Sequence, residues 1–188
     1  MADIRELLSL LRSDDAETRA SAVERAAVTV ERLIHGLVEA IESAGEHDHY
    51  LVEHIHRFGP SMVVPIEGLL ERSGDPDTRV LCALLLLRLK SRTGSGILVE
   101  AVHEGSDWLL PAASRLAEAG VLEAAPAMVH QLRSLPLERK DEIVGLLRAL
   151  QALDGRIPAD LATRFAAPEA PAQAREIVQQ ALRLTTAE

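Results

Sequence analysis

Apolar residues recur at helical spacing along almost the whole chain. Ile4, Leu7, Leu8 and Leu11 share one face of a first helix that ends near Ser13, where Asp14-Asp15 offers an N-cap for the next. Ala22, Val23, Ala26 and Val30 mark the core side of a second helix, and Leu33, Leu37 and Ile41 that of a third, running from about Val30 to Gly45. A fourth carries Leu51, Val52, Ile55 and Phe58 and ends at Gly59-Pro60. Further breaks are expected at Gly74-Asp75-Pro76, Thr93-Gly94, Gly105-Ser106-Asp107, Gly120, Leu135-Pro136, Asp154-Gly155 and around Pro168 to Pro171. No alternating β-branched run bounded by turn signals marks a strand. The pattern predicts an all-α fold of about twelve helices, and turns this short allow only antiparallel neighbours, hence about six helix pairs.

The pairs recur. A shift of 60 residues lays Asp15-Ala16-Glu17-Thr18-Arg19 over Asp75-Pro76-Asp77-Thr78-Arg79, and Ala22, Val23 and Ala26 over Cys82, Ala83 and Leu86. Half that interval brings the Gly105-Ser106-Asp107 turn into register with Asp75-Pro76, with Ala112, Ala113 and Leu116 in the matching core places. Two helices per period of about 30 residues is the signature of a solenoid, whose units cover each other's apolar faces. The chain is read as a single repeat domain, 1–188, with units at 1–30, 31–59, 60–92, 93–120, 121–154 and 155–188.

The stretch from Leu7 to Ala22, LLSLLRSDDAETRASA, combines a leucine-rich first helix, an Asp-containing turn, and an Arg near the start of a second helix followed by small residues. Leu69 to Arg79, LLERSGDPDTR, repeats that order. Both resemble HEAT-like, armadillo-type helical repeats, over the whole chain in period but in these two units by motif. The resemblance implies a right-handed α–α superhelix in which the second helix of each pair lines a concave face. It also implies that Asp15, Arg19, Asp77 and Arg79 tie successive repeats together. Such a motif identifies a fold far better than a function.

Hydrophobic residues make up 47% of the chain and aromatics only 2%, so the core must consist of Leu, Ala, Val and Ile. The single cysteine, Cys82, sits in the apolar run Val80 to Leu87 and reads as a buried thiol with no intramolecular disulfide partner. Met-Ala-Asp-Ile-Arg-Glu lacks the features of a secretory signal, and a cytoplasmic location is expected. The formal charge of −9 opposes nucleic-acid binding. The acidity is uneven: residues 1–60 carry 12 acidic and 6 basic groups, whereas 126–188 carry 8 of each. No apolar run approaches the ~20 residues a membrane span needs.

Chemistry is sparse. Neither a phosphate-cradling Gly-rich loop nor a nucleophile elbow occurs, so no catalytic residue and no cofactor are expected. Four of the seven histidines cluster between Glu46 and His56, and helical spacing puts His49, Glu53 and His56 on one stripe opposite Leu51, Val52, Ile55 and Phe58. Two imidazoles and a carboxylate form a possible metal set, but a solvated or partner-contacting face is the commoner meaning of such a stripe. His103-Glu104 resembles one half of the paired His-Glu iron motif of HEAT-repeat hydroxylases, without its counterparts.

The positions opposite the core stripe define the expected groove: Glu17, Glu24, His49, Glu53, His56, Leu81, Leu84, Arg88, Ser114, Glu118, Glu142 and Gln179. Val80 to Leu87 reads as the most enclosed helix of the stack, with the functional alternative that Leu81 and Leu84 form an exposed apolar contact patch in an acidic groove. The resulting expectation is a non-catalytic interaction module or adaptor that holds a basic or amphipathic protein segment through Glu24, His49, Glu53, His56, Leu81, Leu84, Arg88 and Glu118. The alternatives are a small metal-binding or enzymatic protein centred on His49, Glu53 and His56, and a structural subunit of a larger assembly.

Overall fold

In the computed structural model of the chain, residues 4–43, 55–153 and 156–185 are described. They contain ten α-helices and no strand: α1 (Ile4–Leu11), α2 (Ala16–Ser43), α3 (Val63–Arg72), α4 (Pro76–Arg88), α5 (Ser95–Glu104), α6 (Leu109–Glu118), α7 (Ala125–Ser134), α8 (Lys140–Ala152), α9 (Ala159–Ala166) and α10 (Ala172–Thr185). Short 3₁₀ turns cover Ile55–Phe58, Pro60–Met62 and Leu122–Ala124. The chain divides into two compact units, Met1–His47 and Asp48–Glu188.

The first unit is the hairpin of α1 on α2. Two expectations fail here. The second and third helices of the sequence reading are one continuous 28-residue helix, because no Gly, Pro or cap interrupts the chain from Ala16 to His35. The Val28-Thr29-Val30 cluster does not break it, and the Thr29 hydroxyl bonds back to the Arg25 carbonyl at 2.8 Å. Val23 is not core: it is 57% exposed while Ala22 is fully buried. A hairpin of two helices covers only a narrow stripe, and one residue further on, 100° around the helix, lies outside it.

The second unit is layered. The hairpins α3–α4, α5–α6, α7–α8 and α9–α10 follow one another, and across them α4 touches α6, α6 touches α8 and α8 touches α10, while α5 touches α7. The core lies between these two layers and is aliphatic as expected, with Phe165 the one fully buried aromatic side chain among the described residues. Helix α4 is its most enclosed member, since all eight residues from Val80 to Leu87 are buried, Cys82 included. It is covered by α3, α5 and α6. Each fully buried leucine contributes about 1.5–3 kcal/mol over an exposed one, so this helix anchors the unit. Phe58, expected as core, is 54% exposed, whereas Ile55 is fully buried. A four-residue 3₁₀ turn, Ile55–Phe58, stands there in place of the end of the expected α-helix.

Polar side chains tie neighbouring hairpins across separations of 27 to 31 residues. The Trp108 indole N–H donates to Asp77 at 2.8 Å, the Gln131 amide to the His103 carbonyl at 2.6 Å, and Arg133 to Asp160 at 2.8 Å. The Arg164 guanidinium caps the end of α7, donating to the carbonyls of Leu132, Arg133 and Leu135 at 2.5–2.9 Å. The two motif turns have the same hydrogen bonds. Asp15 accepts from the Thr18 amide and hydroxyl at 2.8 and 2.5 Å, and Asp75 from those of Thr78 at 2.8 and 2.6 Å. These bonds hold both carboxyls below the ordinary value of 3.8, the Thr hydroxyl being the larger cause.

Candidate functional site

Two clefts of opposite charge open on the second unit. The first, about 380 Å³, lies where α4 and α6 end and is lined by Leu87, Arg88, Lys90, Arg92, Arg115, Glu118 and Ala119. Four cations face one carboxylate. Arg115 is ion-paired to Glu118 at 2.6 Å and is the more buried partner, 17% exposed against 54%. The Arg92 guanidinium donates to the Ala119 carbonyl at 3.4 Å. The Arg88 Nε–H is buried and has no hydrogen-bond acceptor among the described residues, a deficit of about 1–3 kcal/mol.

Lys90 reaches the rim by an unusual backbone. Its φ of +66° is the one positive value on a non-glycine residue among those described. It stands at the left-handed position of a Schellman turn: its N–H donates to the Leu87 carbonyl at 3.0 Å and that of Ser91 to Leu86 at 2.9 Å. The ends of α5 and α6 make the same turn with Gly105 (φ +69°) and Gly120 (φ +64°). Glycine pays nothing for that conformation, whereas a side chain pays about 1 kcal/mol or more.

The second cleft, about 270 Å³, lies between the start of α4, helix α5 and the turn into α6, with Asp77, Arg79, Glu100, Glu104, Ser106 and Trp108 among its walls. Asp77, Glu100 and Glu104 outnumber the single Arg79. Glu100 and Glu104 stand one turn apart on α5. The ring of Trp108, the only tryptophan in the chain, is half-buried and oriented by its bond to Asp77. Carboxylates beside an oriented indole suit a guanidinium or ammonium group, which gains both charge pairing and the attraction of the ring face.

The residues anticipated from sequence fare unequally. Arg88 and Glu118 do meet, in the first cleft, but the surround is cationic and not the acidic groove expected. The reason is that Lys90 and Arg92, in the turn after α4, and Arg115, on the next hairpin, converge there. Leu81 and Leu84 do not form an exposed patch: each is 1% exposed, because α4 has neighbours on all sides and no free face. Glu24 is exposed on α2 in the first unit. Glu17, Ser114 and Gln179 are exposed, while Glu142 is half-buried and paired with Arg139. His49 and Glu53 lie outside the described residues, and so does the side chain of His56.

The His103-Glu104 dipeptide splits: Glu104 turns to the second cleft, while His103 stacks on His130 of α7, centroids 4.4 Å apart. Sequence reasoning missed Lys90, Arg92, Arg115 and Trp108. Arg88-Leu89-Lys90-Ser91-Arg92, with three cations in five residues of an acidic chain, was the available signal. Among the described residues, no group of three or more His, Cys, Asp or Glu is placed to hold a metal ion, and no helix is long and apolar enough to cross a membrane. No family model, curated protein or solved structure matches the chain.

Proposed function

We propose that the chain is a HEAT-like, armadillo-type repeat protein that serves as a non-catalytic interaction module in the cytoplasm, holding a basic, amphipathic segment of a protein partner. The paired helices, their contacts from one hairpin to the next and the polar ties about 30 residues apart support the repeat reading; the right-handed superhelical sense is what the family resemblance implies. The observation that carries the partner's chemistry is the cleft at Trp108. Asp77, Glu100 and Glu104 around an oriented indole accept one Lys or Arg side chain, and the apolar edge of Val80 and Ile97 accepts a neighbouring aliphatic residue of the same segment.

A single tryptophan makes the test direct, because intrinsic fluorescence reports this cleft. Titration with an Arg/Lys-bearing amphipathic peptide is expected to give a saturable shift, weakened about tenfold by Glu100→Gln with Glu104→Gln. A wild-type protein whose fluorescence does not respond to any member of a basic-peptide panel, or a double variant that binds as tightly as wild type, refutes the reading.

A further inference from the structure

We propose that the cleft formed by Arg88, Lys90, Arg92 and Arg115 is a second binding site, selective for a phosphate group bearing more than one negative charge. This site shares no lining residue with the Trp108 cleft and needs no repeat assignment. Its first support is charge: four cations and the carboxylate of Glu118 leave an excess of three positive charges in a chain whose total is −9. Only one of the four is neutralised from within, since Arg115 alone forms an ion pair among the described residues of the cleft. An excess of three is more than a single carboxylate matches, and the planar forks of three arginines fit the oxygens of a phosphate.

The second support is backbone. At three successive helix ends the same turn takes Lys90, Gly105 and Gly120. A lysine persists where its neighbours use glycine, although the conformation opposes it. Attraction to the carbonyl end of α4 offsets part of that cost, but the same attraction acts at the ends of α5 and α6, which nonetheless carry glycine. A Cβ at Gly105 would meet Gln131 at 3.0 Å whereas one at Gly120 would meet nothing within 4 Å, and position 90 differs from both in that Lys90 lines the cleft beside Arg88 and Arg92. A side chain kept against a local backbone preference marks a functional position.

The third support is accessibility. Lys90 and Arg92 are exposed at the mouth, whereas Arg115 is held inside by Glu118. The cleft thus carries donors poised for oxygens. The net charge of −9 on the chain as a whole repels extended polyanions, so a compact phosphate is favoured over a nucleic-acid backbone.

Calorimetric titration of the full chain with pyrophosphate, with a phosphoserine peptide and with its unphosphorylated form tests this. Binding of pyrophosphate and phosphopeptide, about tenfold weaker in Lys90→Ala and in Arg92→Ala and lost progressively with salt, is the expected result. Glu118→Gln frees Arg115 and is expected to tighten binding several-fold, a change that no loss of folding produces. Binding of both probes means that a free phosphate suffices; binding of the phosphopeptide alone means that the phosphate is presented on a protein segment. The proposal is overturned if neither probe binds, if the unphosphorylated peptide binds equally well, if Lys90→Ala and Arg92→Ala bind like wild type, or if only an oligonucleotide binds.

Discussion

Replacing Lys90 by glycine should make the protein more stable, although it deletes a charged side chain. Lys90 holds φ +66° at the end of α4, in the turn that Gly105 and Gly120 make for α5 and α6. A residue with a Cβ pays about 1–2 kcal/mol in the left-handed region. Glycine avoids that, at the expense of greater freedom in the unfolded chain and of a favourable charge near a helix C-terminus, the latter about 0.3–1 kcal/mol. With about 0.4–1 kcal/mol deducted for the unfolded chain as well, the net gain for Lys90→Gly is at most about 1 kcal/mol, a rise of no more than about 4 °C in the thermal midpoint for a chain of this size. Lys90→Ala removes the same charge but keeps the Cβ, and is expected to change stability by less than about 0.5 kcal/mol.

Gly120→Ala is the reciprocal perturbation. Its Cβ would meet nothing within 4 Å, so any loss comes from φ alone, and about 1 kcal/mol is expected. Thermal and urea denaturation of the four proteins, followed by circular dichroism at 222 nm, decides the matter. Equal midpoints for Lys90→Gly and Lys90→Ala would show that position 90 carries no conformational cost, and the backbone argument for the cationic cleft would fall with it.

Leu84→Ala, in the middle of the enclosed helix, should cost about 2–5 kcal/mol in urea unfolding; a loss under 1 kcal/mol would mean that α4 is not surrounded. Arg164→Met removes the three donors that cap α7 and should cost about 1.5–3 kcal/mol, read by the same assay. On acidification, the depressed carboxyls of Asp15, Asp75 and Asp160 contribute stability that is complete above the ordinary value of 3.8 and is lost as pH falls through their lower folded values. The unfolding midpoint should therefore be flat above about pH 5 and fall below about pH 4. Asp75→Asn should reduce the size of that fall, and an unchanged profile would exclude Asp75 as a contributor.

Local signals carried far in this chain. The turn at Asp75 and its counterpart at Asp15 were legible because a cap depends on residues three positions apart, and both form the same bonds to Thr78 and Thr18. The hairpin boundaries at Gly74-Asp75-Pro76, Gly105-Ser106-Asp107 and Gly120 were legible for the same reason, as was the enclosed helix from Val80 to Leu87. The long helix α2 was not, because β-branched residues lower helix propensity too little to end a helix without a breaker.

The site was much less visible. Which face of α4 meets solvent depends on how many helices surround it, and Leu81 and Leu84 are buried because α3, α5 and α6 close on them. The meeting of Arg88 with Arg115, or of Trp108 with Asp77, spans about one repeat and exists only once neighbouring hairpins dock. Sequence by itself determined the all-helical class, the turns and the aliphatic core, since each follows from spacing within a few residues. Only the tertiary structure decided where charge collects. Side chains about 30 positions apart become neighbours through packing, and whether the groups they meet are acidic or basic is not encoded in the period that brings them together.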